Sequence, residues 1–353
     1  MGYAKALLGV LLVSALAATS TVQANFKCKS TGSTCTALVD FVAPNATNLA
    51  AIQTLFQVKK FHNLIGANNL PTSTSINQTV SAGKTIRIPF TCLCANGTGV
   101  SNGTPVYTVR SGDTMYHIAH DLFAGLVTYE QIAAANKVPD ATNIDVGQQF
   151  WIPLPCSCDD VDGMKVVHYG YVVPKGSTVE EIAQEYGTTQ ATLLSLNQMA
   201  NASELQAGQV LDVPLKACSS NVNSSSLDYP LLVANNTYLY TASNCVKCKC
   251  DSTDNYTLQC EPSGLKPLSN WTTCPAMQCQ GADSLYIGNA TSSGCNQTTC
   301  AYTGYTNQTI LAALVTQSTC PASAASKIGF QGWGWNFFLI SIQLIFFCLH
   351  LSQ

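Results

Sequence analysis

Residues 107–158 read as one small closed unit, and the chain carries that unit three times. In this copy an apolar strand meets a Gly112-Asp113 turn. Met115, Ile118, Ala119 and Leu122 then recur at helical spacing and would face a core, with Asp113 placed to accept from the free amides of the helix start. That helix ends near Phe123 and Gly125. Thr128 opens a second helix with Gln131 at capping-box spacing, Ile132 and Ala135 turn inward, and Asn136 closes it. Phe150, Trp151 and Ile152 form a strand that Pro153 and Pro155 stop before Cys156 and Cys158. Downstream, residues 171–183 repeat the opening, Asn197 stands at the place of Asn136, and residues 205–214 repeat the close up to Cys218. Upstream, residues 80–89 repeat the close before Cys92 and Cys94, and Leu49, Ile52, Leu55 and Phe56 give a helical face. The first copy is the most diverged.

The cysteines point to an oxidising compartment. Of seventeen, Cys348 sits in a terminal apolar tail, and the others are even in number. Cys28, Cys35, Cys92, Cys94, Cys156 and Cys158 bracket the first two copies, and sequence alone leaves their pairing open. Cys-x-Cys neighbours diverge in extended chain, so each must reach a distant segment. Cys245, Cys248 and Cys250 have the close spacing of a zinc site, but His62, His117, His120 and His168 are scattered elsewhere. Disulfides are therefore expected, with no metal and no cofactor. After Cys218 the chain is rich in Asn, Ser, Thr and Cys. It has few long apolar faces, so bridges worth about 2–4 kcal/mol each must supply part of its stability.

Both ends carry processing signals. Lys5 precedes an apolar run over residues 6–18 and small residues up to Ala24, the layout of a signal peptide cleaved after Ala24; the run falls short of the roughly 20 residues that a membrane span needs. Near the other end, small residues 322–326, a spacer and an apolar tail over residues 337–351 follow the layout of a GPI-attachment signal. Ser323 is the expected attachment residue, with its small neighbours as alternatives. A spanning helix is the competing reading, but Gln343 and His350 interrupt the tail and no basic flank follows it.

Only 10% of residues are charged and the net charge is −3, which argues against nucleic acid and for a neutral ligand. Sequons begin at Asn45, Asn77, Asn96, Asn102, Asn201, Asn223, Asn235, Asn255, Asn270, Asn289, Asn296 and Asn307, whereas residues 105–197 have none. The second copy is thus expected to stay bare of glycans. Hydrolytic chemistry needs a carboxylate pair, a Ser/His set or a free Cys in a sizeable domain, and no segment is left for one. Glu180 and Glu181 read as the first turn of a solvated helix, so no enzyme is expected.

The series Gly112-Asp113-Thr114, Ile118-Ala119, Ala135-Asn136, Val146-Gly147-Gln148 and Ile152-Pro153 resembles the lysin motif, LysM, a βααβ module that binds N-acetylglucosamine polymers. Three such modules between a secretion signal and a Cys-rich region resemble the plant LysM domain-containing GPI-anchored proteins, the family of the chitin-elicitor binding proteins. The resemblance implies an α+β chain. Its parts are a signal peptide (1–24), a diverged LysM module with its N-terminal Cys segment (25–94), LysM modules at 105–158 and 168–218, a small Cys-rich disulfide module (219–320) and a GPI signal (321–353). It also implies interlocked pairs that clamp the modules, Cys28 with Cys94, Cys35 with Cys158 and Cys92 with Cys156.

In such modules the ligand lies between two turns. Here the matching walls are Ser111, Gly112, Asp113, Thr114 and Met115 on one side, and Ala141, Thr142, Asn143, Ile144 and Asp145 on the other. Ile144 would press on acetyl methyls or else serve the core; Gly112 would admit a sugar close to the backbone or else only make the turn. The first module lacks Gly-Asp-Thr and has a sequon at its first turn, and the third has one at its second turn, so the expectation rests on the second module. The family implies a receptor on the outer face of the plasma membrane that binds chitin oligosaccharides. It would signal in innate immunity through a transmembrane LysM receptor-like kinase, with ligand-induced homodimers possible on a long polymer. The alternatives are a peptidoglycan receptor of the same family and a wall-adhesion protein.

Overall fold

A computed structural model describes residues 26–268, 271–281 and 284–318. The expected signal peptide, the expected attachment residue Ser323, Asn270 and Cys320 lie outside these residues. Strands, in order, are β1 (Thr34–Val42), β2 (Thr47–Asn48), β3 (Thr79–Val80), β4 (Thr85–Ala95), β5 (Thr98–Ser101), β6 (Val106–Thr108), β7 (Gln149–Trp151), β8 (Pro155–Cys156), β9 (Val166–Val172) and β10 (Val210–Lys216). Helices are α1 (Leu49–Phe56), α2 (Phe61–Ala67), α3 (Met115–His117), α4 (Tyr129–Ala135), α5 (Val179–Tyr186) and α6 (Gln190–Leu196). α3 continues into a wider π-helical turn over Ile118–Leu122.

Three βααβ units result. β1 pairs antiparallel with β4 around α1 and α2, β6 with β7 around α3 and α4, and β9 with β10 around α5 and α6. Local chemistry sets the helix starts. Asn48, Thr114, Thr128, Thr178 and Thr189 each accept a backbone N–H of the first turn, and Thr128 with Gln131 and Thr178 with Glu181 form full capping boxes.

One asparagine latches each unit. Asn136 follows α4, its side-chain amide donates to the carbonyls of Ile132 and Trp151, and its Oδ1 accepts from Trp151 N. Asn197 does the same with Leu193 and Asp212, and Asn68 with Leu64 and Arg87. The diverged first unit therefore keeps the closure of the other two.

The units are not beads on a string. β1 of module 1 pairs in parallel with β9 of module 3, with Leu38 opposite Tyr169 and Val39 opposite Gly170, so the two hairpins share a six-stranded sheet ordered β10-β9-β1-β4-β5-β8. β1 has both faces covered, which is why Ala37–Phe41 is a continuous buried run. Modules 1 and 2 share one apolar core that includes Ile52, Phe56, Ile118, Phe123 and Phe150. The bonds Cys35–Cys158 and Cys92–Cys156 fasten the strands of module 1 to the end of module 2, and Cys28–Cys94 secures the N-terminal segment.

The Cys-rich region forms two small sheets. β11 (Thr237–Thr241), β12 (Val246–Cys250) and β13 (Gln259–Pro262) make one; β14 (Ala290–Ser293), β15 (Asn296–Tyr305) and β16 (Ile310–Ser318) make the other. Its bonds are Cys218–Cys250, Cys245–Cys274, Cys248–Cys260 and Cys279–Cys300, and Cys295 is bonded as well. Cys245, Cys248 and Cys250 thus bond three different partners, which leaves no thiolate trio there for a metal. The sulfurs are themselves much of the core, beside Val246, Ile287 and Tyr302. The region docks on module 1. Tyr240 N donates to Asn63 Oδ1 (3.1 Å), and α2 approaches β11 so closely that a Cβ on Gly66 would lie 2.0 Å from the Tyr238 carbonyl oxygen. Only glycine fits there. Among the described residues, no helix is long and apolar enough to cross a membrane.

Candidate functional site

The two turns of module 2 are extensions of its strand pair. Past β6 and β7 the ladder continues through Val109 N to Gln148 O and Gly147 N to Val109 O, both 2.9 Å, which fixes one turn against the other. The first wall is a tight turn closed by Asp113 N to Arg110 O, in which Gly112 has φ +90° and open space beyond its Cα. That backbone is strained for any residue with a side chain. Asp113 does not cap the helix, as the sequence had suggested. Thr114 does so, accepting from His117 N at 3.0 Å. The Asp113 carboxylate instead accepts from Tyr107 Oη (2.8 Å) and Arg110 N (2.7 Å), pinning the turn to its own strand. Burial, then this hydrogen bond, pushes the Tyr107 phenol up to about 12.

The second wall is an Asx-type turn. Asp140 Oδ1 accepts from Thr142 N (2.9 Å) and Thr142 Oγ1 (2.6 Å), and Asp145 N donates to Gln148 Oε1 (3.2 Å). Ser111, Gly112 and Thr114 on one side, and Thr142, Asn143 and Asp145 on the other, are exposed. Ala141 and Ile144 are half-buried and pack on the core, so the core role of Ile144 is present and part of its side chain stays open to solvent. Met115 is a correction to the wall: at 1% exposure its side chain belongs to the core, as helical spacing with Ile118 requires.

The groove therefore offers hydroxyls, an amide, backbone and an aliphatic side chain, with Asp140 and Asp145 as exposed carboxylates on one turn and Arg110 exposed on the other. That chemistry suits an uncharged polar ligand with apolar patches. Modules 1 and 3 have the same ties between turns, at Ala43 with Gly83 and Lys84, and at Val173 with Gly208 and Gln209. Their turns differ in what they carry: Asn45 is exposed at the first turn of module 1, and Asn201 at the second turn of module 3, where its Oδ1 accepts from Ser203 N. Of the other sequon asparagines, Asn77, Asn96, Asn102, Asn223, Asn255, Asn289, Asn296 and Asn307 are exposed and Asn235 is half-buried.

Two features escaped the sequence. At the seam of modules 1 and 3, Asp40 and Tyr169 are buried, Tyr169 Oη donates to the Asp40 carboxylate, and Arg87 Nε donates to Tyr169 Oη at 3.2 Å. Beside module 2, a cavity of ≈ 350 Å³ opens between its helices and the second turn of module 3, lined in part by Tyr116 and Tyr129.

Known proteins share this pattern. The LysM domain model matches residues 107–153 and 171–214. The chain is 46% identical over 351 residues to LysM domain-containing GPI-anchored protein 2 of Arabidopsis thaliana, covering 98% of each chain. It is 39% identical over 330 residues to the chitin elicitor-binding protein of Oryza sativa subsp. japonica, covering 91% of this chain and 90% of that one. A crystal structure of the ectodomain of a receptor like kinase is 23% identical with a TM-score of 0.44, covering 52% of this chain and 93% of that one. With both module motifs and near full-length identity in hand, the chain belongs to the family of LysM domain-containing GPI-anchored proteins.

Proposed function

We propose that this protein is a cell-surface receptor that captures chitin oligosaccharides in the groove of module 2. The observation that supports the reading is a preorganised and exposed pair of turns in the one module without sequons, in a chain 39% identical to a protein named for binding a chitin elicitor. Each N-acetyl sugar offers a methyl, a carbonyl and an amide. A buried methyl contributes about 0.8 kcal/mol and a net hydrogen bond about 1 kcal/mol, against roughly 4 kcal/mol for even a millimolar Kd. One sugar binds feebly, and oligomers that span the groove bind usefully.

The layout of the chain's end supports a GPI anchor at Ser323, which leaves no cytoplasmic part. Signalling then passes through a transmembrane partner, read as a LysM receptor-like kinase, and a long polymer that bridges two anchored copies gains avidity without new contacts. The protein itself performs no catalysis in this reading. Peptidoglycan shares N-acetylglucosamine and is the alternative ligand. Capture on insoluble chitin and on insoluble peptidoglycan tests the reading: the wild-type chain is retained on chitin and Ile144→Asp is not. Equal retention of both forms removes the groove from the account, and retention on peptidoglycan alone changes the ligand.

A further inference from the structure

The cavity between module 2 and module 3 has its own chemistry. On one side stand Tyr116, His120 and Tyr129; on the other lies the turn carrying Gln206, Gly208 and Gln209. The rings form an angled wall: Tyr116 and His120 are stacked with centroids 5.1 Å apart and planes 11° from parallel, and Tyr129 is 6.5 Å from Tyr116 with its plane tilted 58° from it. Tyr116 is 57% and Tyr129 38% exposed, so both rings present apolar faces to solvent. Among the described residues four tyrosines are this exposed, and two of them meet at this one cavity. Leu126 and Val127 lie beneath. The opposite turn is held rigidly, by Gly208 N to Val173 O (2.8 Å) and by Gln206 N to Gln209 Oε1 (3.2 Å).

The geometry points to a second saccharide subsite in this cleft, in which Tyr116 takes the C–H face of an N-acetylhexosamine ring, the inclined ring of Tyr129 flanks it, and the amides of Gln206 and Gln209 meet its hydroxyl rim. The inference deepens the receptor reading and rests on it for the class of ligand. Exposed aromatic rings are costly to hydrate in the free protein and are covered favourably by a partner that is apolar on its face and polar at its edge, which is the surface of a pyranose ring. The volume lies at the lower end of small-ligand pockets and suits one or two rings rather than a protein segment. The module-2 side of the cleft lies within the sequon-free residues 105–197. Tyr116 stands two residues after Thr114, the last exposed residue of the first groove wall.

Isothermal titration of the full glycosylated chain in detergent tests this, with chitin oligomers from trimer to octamer as probes beside peptidoglycan glycan strands of matched length. Tyr116→Ala and Tyr129→Ala should each weaken octamer binding about 2- to 10-fold while trimer binding in the groove is unchanged, the range expected for loss of one stacked ring. Tyr116→Phe, which keeps the ring, should bind as wild type. Both side chains are exposed, so neither truncation threatens the fold. Octamer affinity unchanged in the Tyr116→Ala/Tyr129→Ala double variant, with Ile144→Asp abolishing binding, overturns the cleft and leaves the groove standing. Octamer binding that survives Ile144→Asp and falls with the tyrosines supports the cleft and overturns the groove. Loss confined to one polymer identifies the source of the sugar that the cleft takes.

Discussion

Asp40 is the best place to perturb the seam that holds module 3 on module 1. It lies on β1, 2% exposed, where it accepts from Tyr169 Oη and faces Arg87, Tyr171, Tyr186 and Glu185. Burial pushes its carboxyl up from 3.8 to about 6, outweighing the Tyr169 hydrogen bond and the Arg87 charge, which pull it down. A carboxyl with a raised folded pKa holds its proton more tightly in the native state than in the unfolded one. Stability from this group is therefore fully present below about pH 4 and is lost as pH rises through about 6. The rise from 3.8 to about 6 corresponds to about 3 kcal/mol at neutral pH. Asp40→Asn keeps an oxygen for Tyr169 and removes the charge. Thermal unfolding followed from pH 4 to 8 should show little difference at the acid end and a variant more stable by about 3 kcal/mol at pH 8, a rise in Tm of order 5–10 °C. Parallel pH curves for the two proteins, or a variant that melts earlier at pH 8, would refute the claim that Asp40 is ionised at a cost in the seam.

Two further substitutions probe the docking of the Cys-rich region and the groove wall. Gly66→Ala places a methyl 2.0 Å from the Tyr238 carbonyl oxygen, and overpacking of this kind costs about 1–3 kcal/mol. Amide hydrogen exchange in β11 should accelerate while β15 is unaffected, and unchanged exchange in β11 would mean that the junction gives way freely. Asp113→Ala removes the acceptor of Tyr107 Oη and Arg110 N, hydrogen bonds to a charged group worth about 1.5–3 kcal/mol each. The released turn should lower chitin affinity several-fold with modules 1 and 3 still folded, and wild-type affinity would show that the wall needs no tether.

Modules 2 and 3 were legible because their signals are local. Thr128 with Gln131, the closing Asn136 and Asn197, and the buried spacing of Met115, Ile118 and Ala119 all act within a few residues. The neighbouring Asp113 and Thr114 misled for the same reason: either can cap, and the choice is made by Tyr107, six residues back on the strand, which claims the carboxylate. Module 1 hid its latch, since Asn68 reaches a strand residue 19 positions away where Asn136 and Asn197 span 15. The parallel pairing of β1 with β9 joins segments that share no local pattern, so only the assembled sheet reveals it. The cysteines after Cys218 announced disulfides but not partners, nor that the sulfurs themselves would fill the core. Tyr116 and Tyr129 fall outside the apolar periodicity, and their meaning depends on a turn of module 3 some eighty residues on.

The central claim is that the turns of module 2 bind N-acetylglucosamine polymers by length, and calorimetry with chitin oligomers of increasing length measures this most directly. The account predicts heat too weak to fit for the single sugar, affinity that climbs as the oligomer fills the groove, and loss of the binding to the groove in Ile144→Asp. A length-independent affinity, or full binding by the variant, would contradict it.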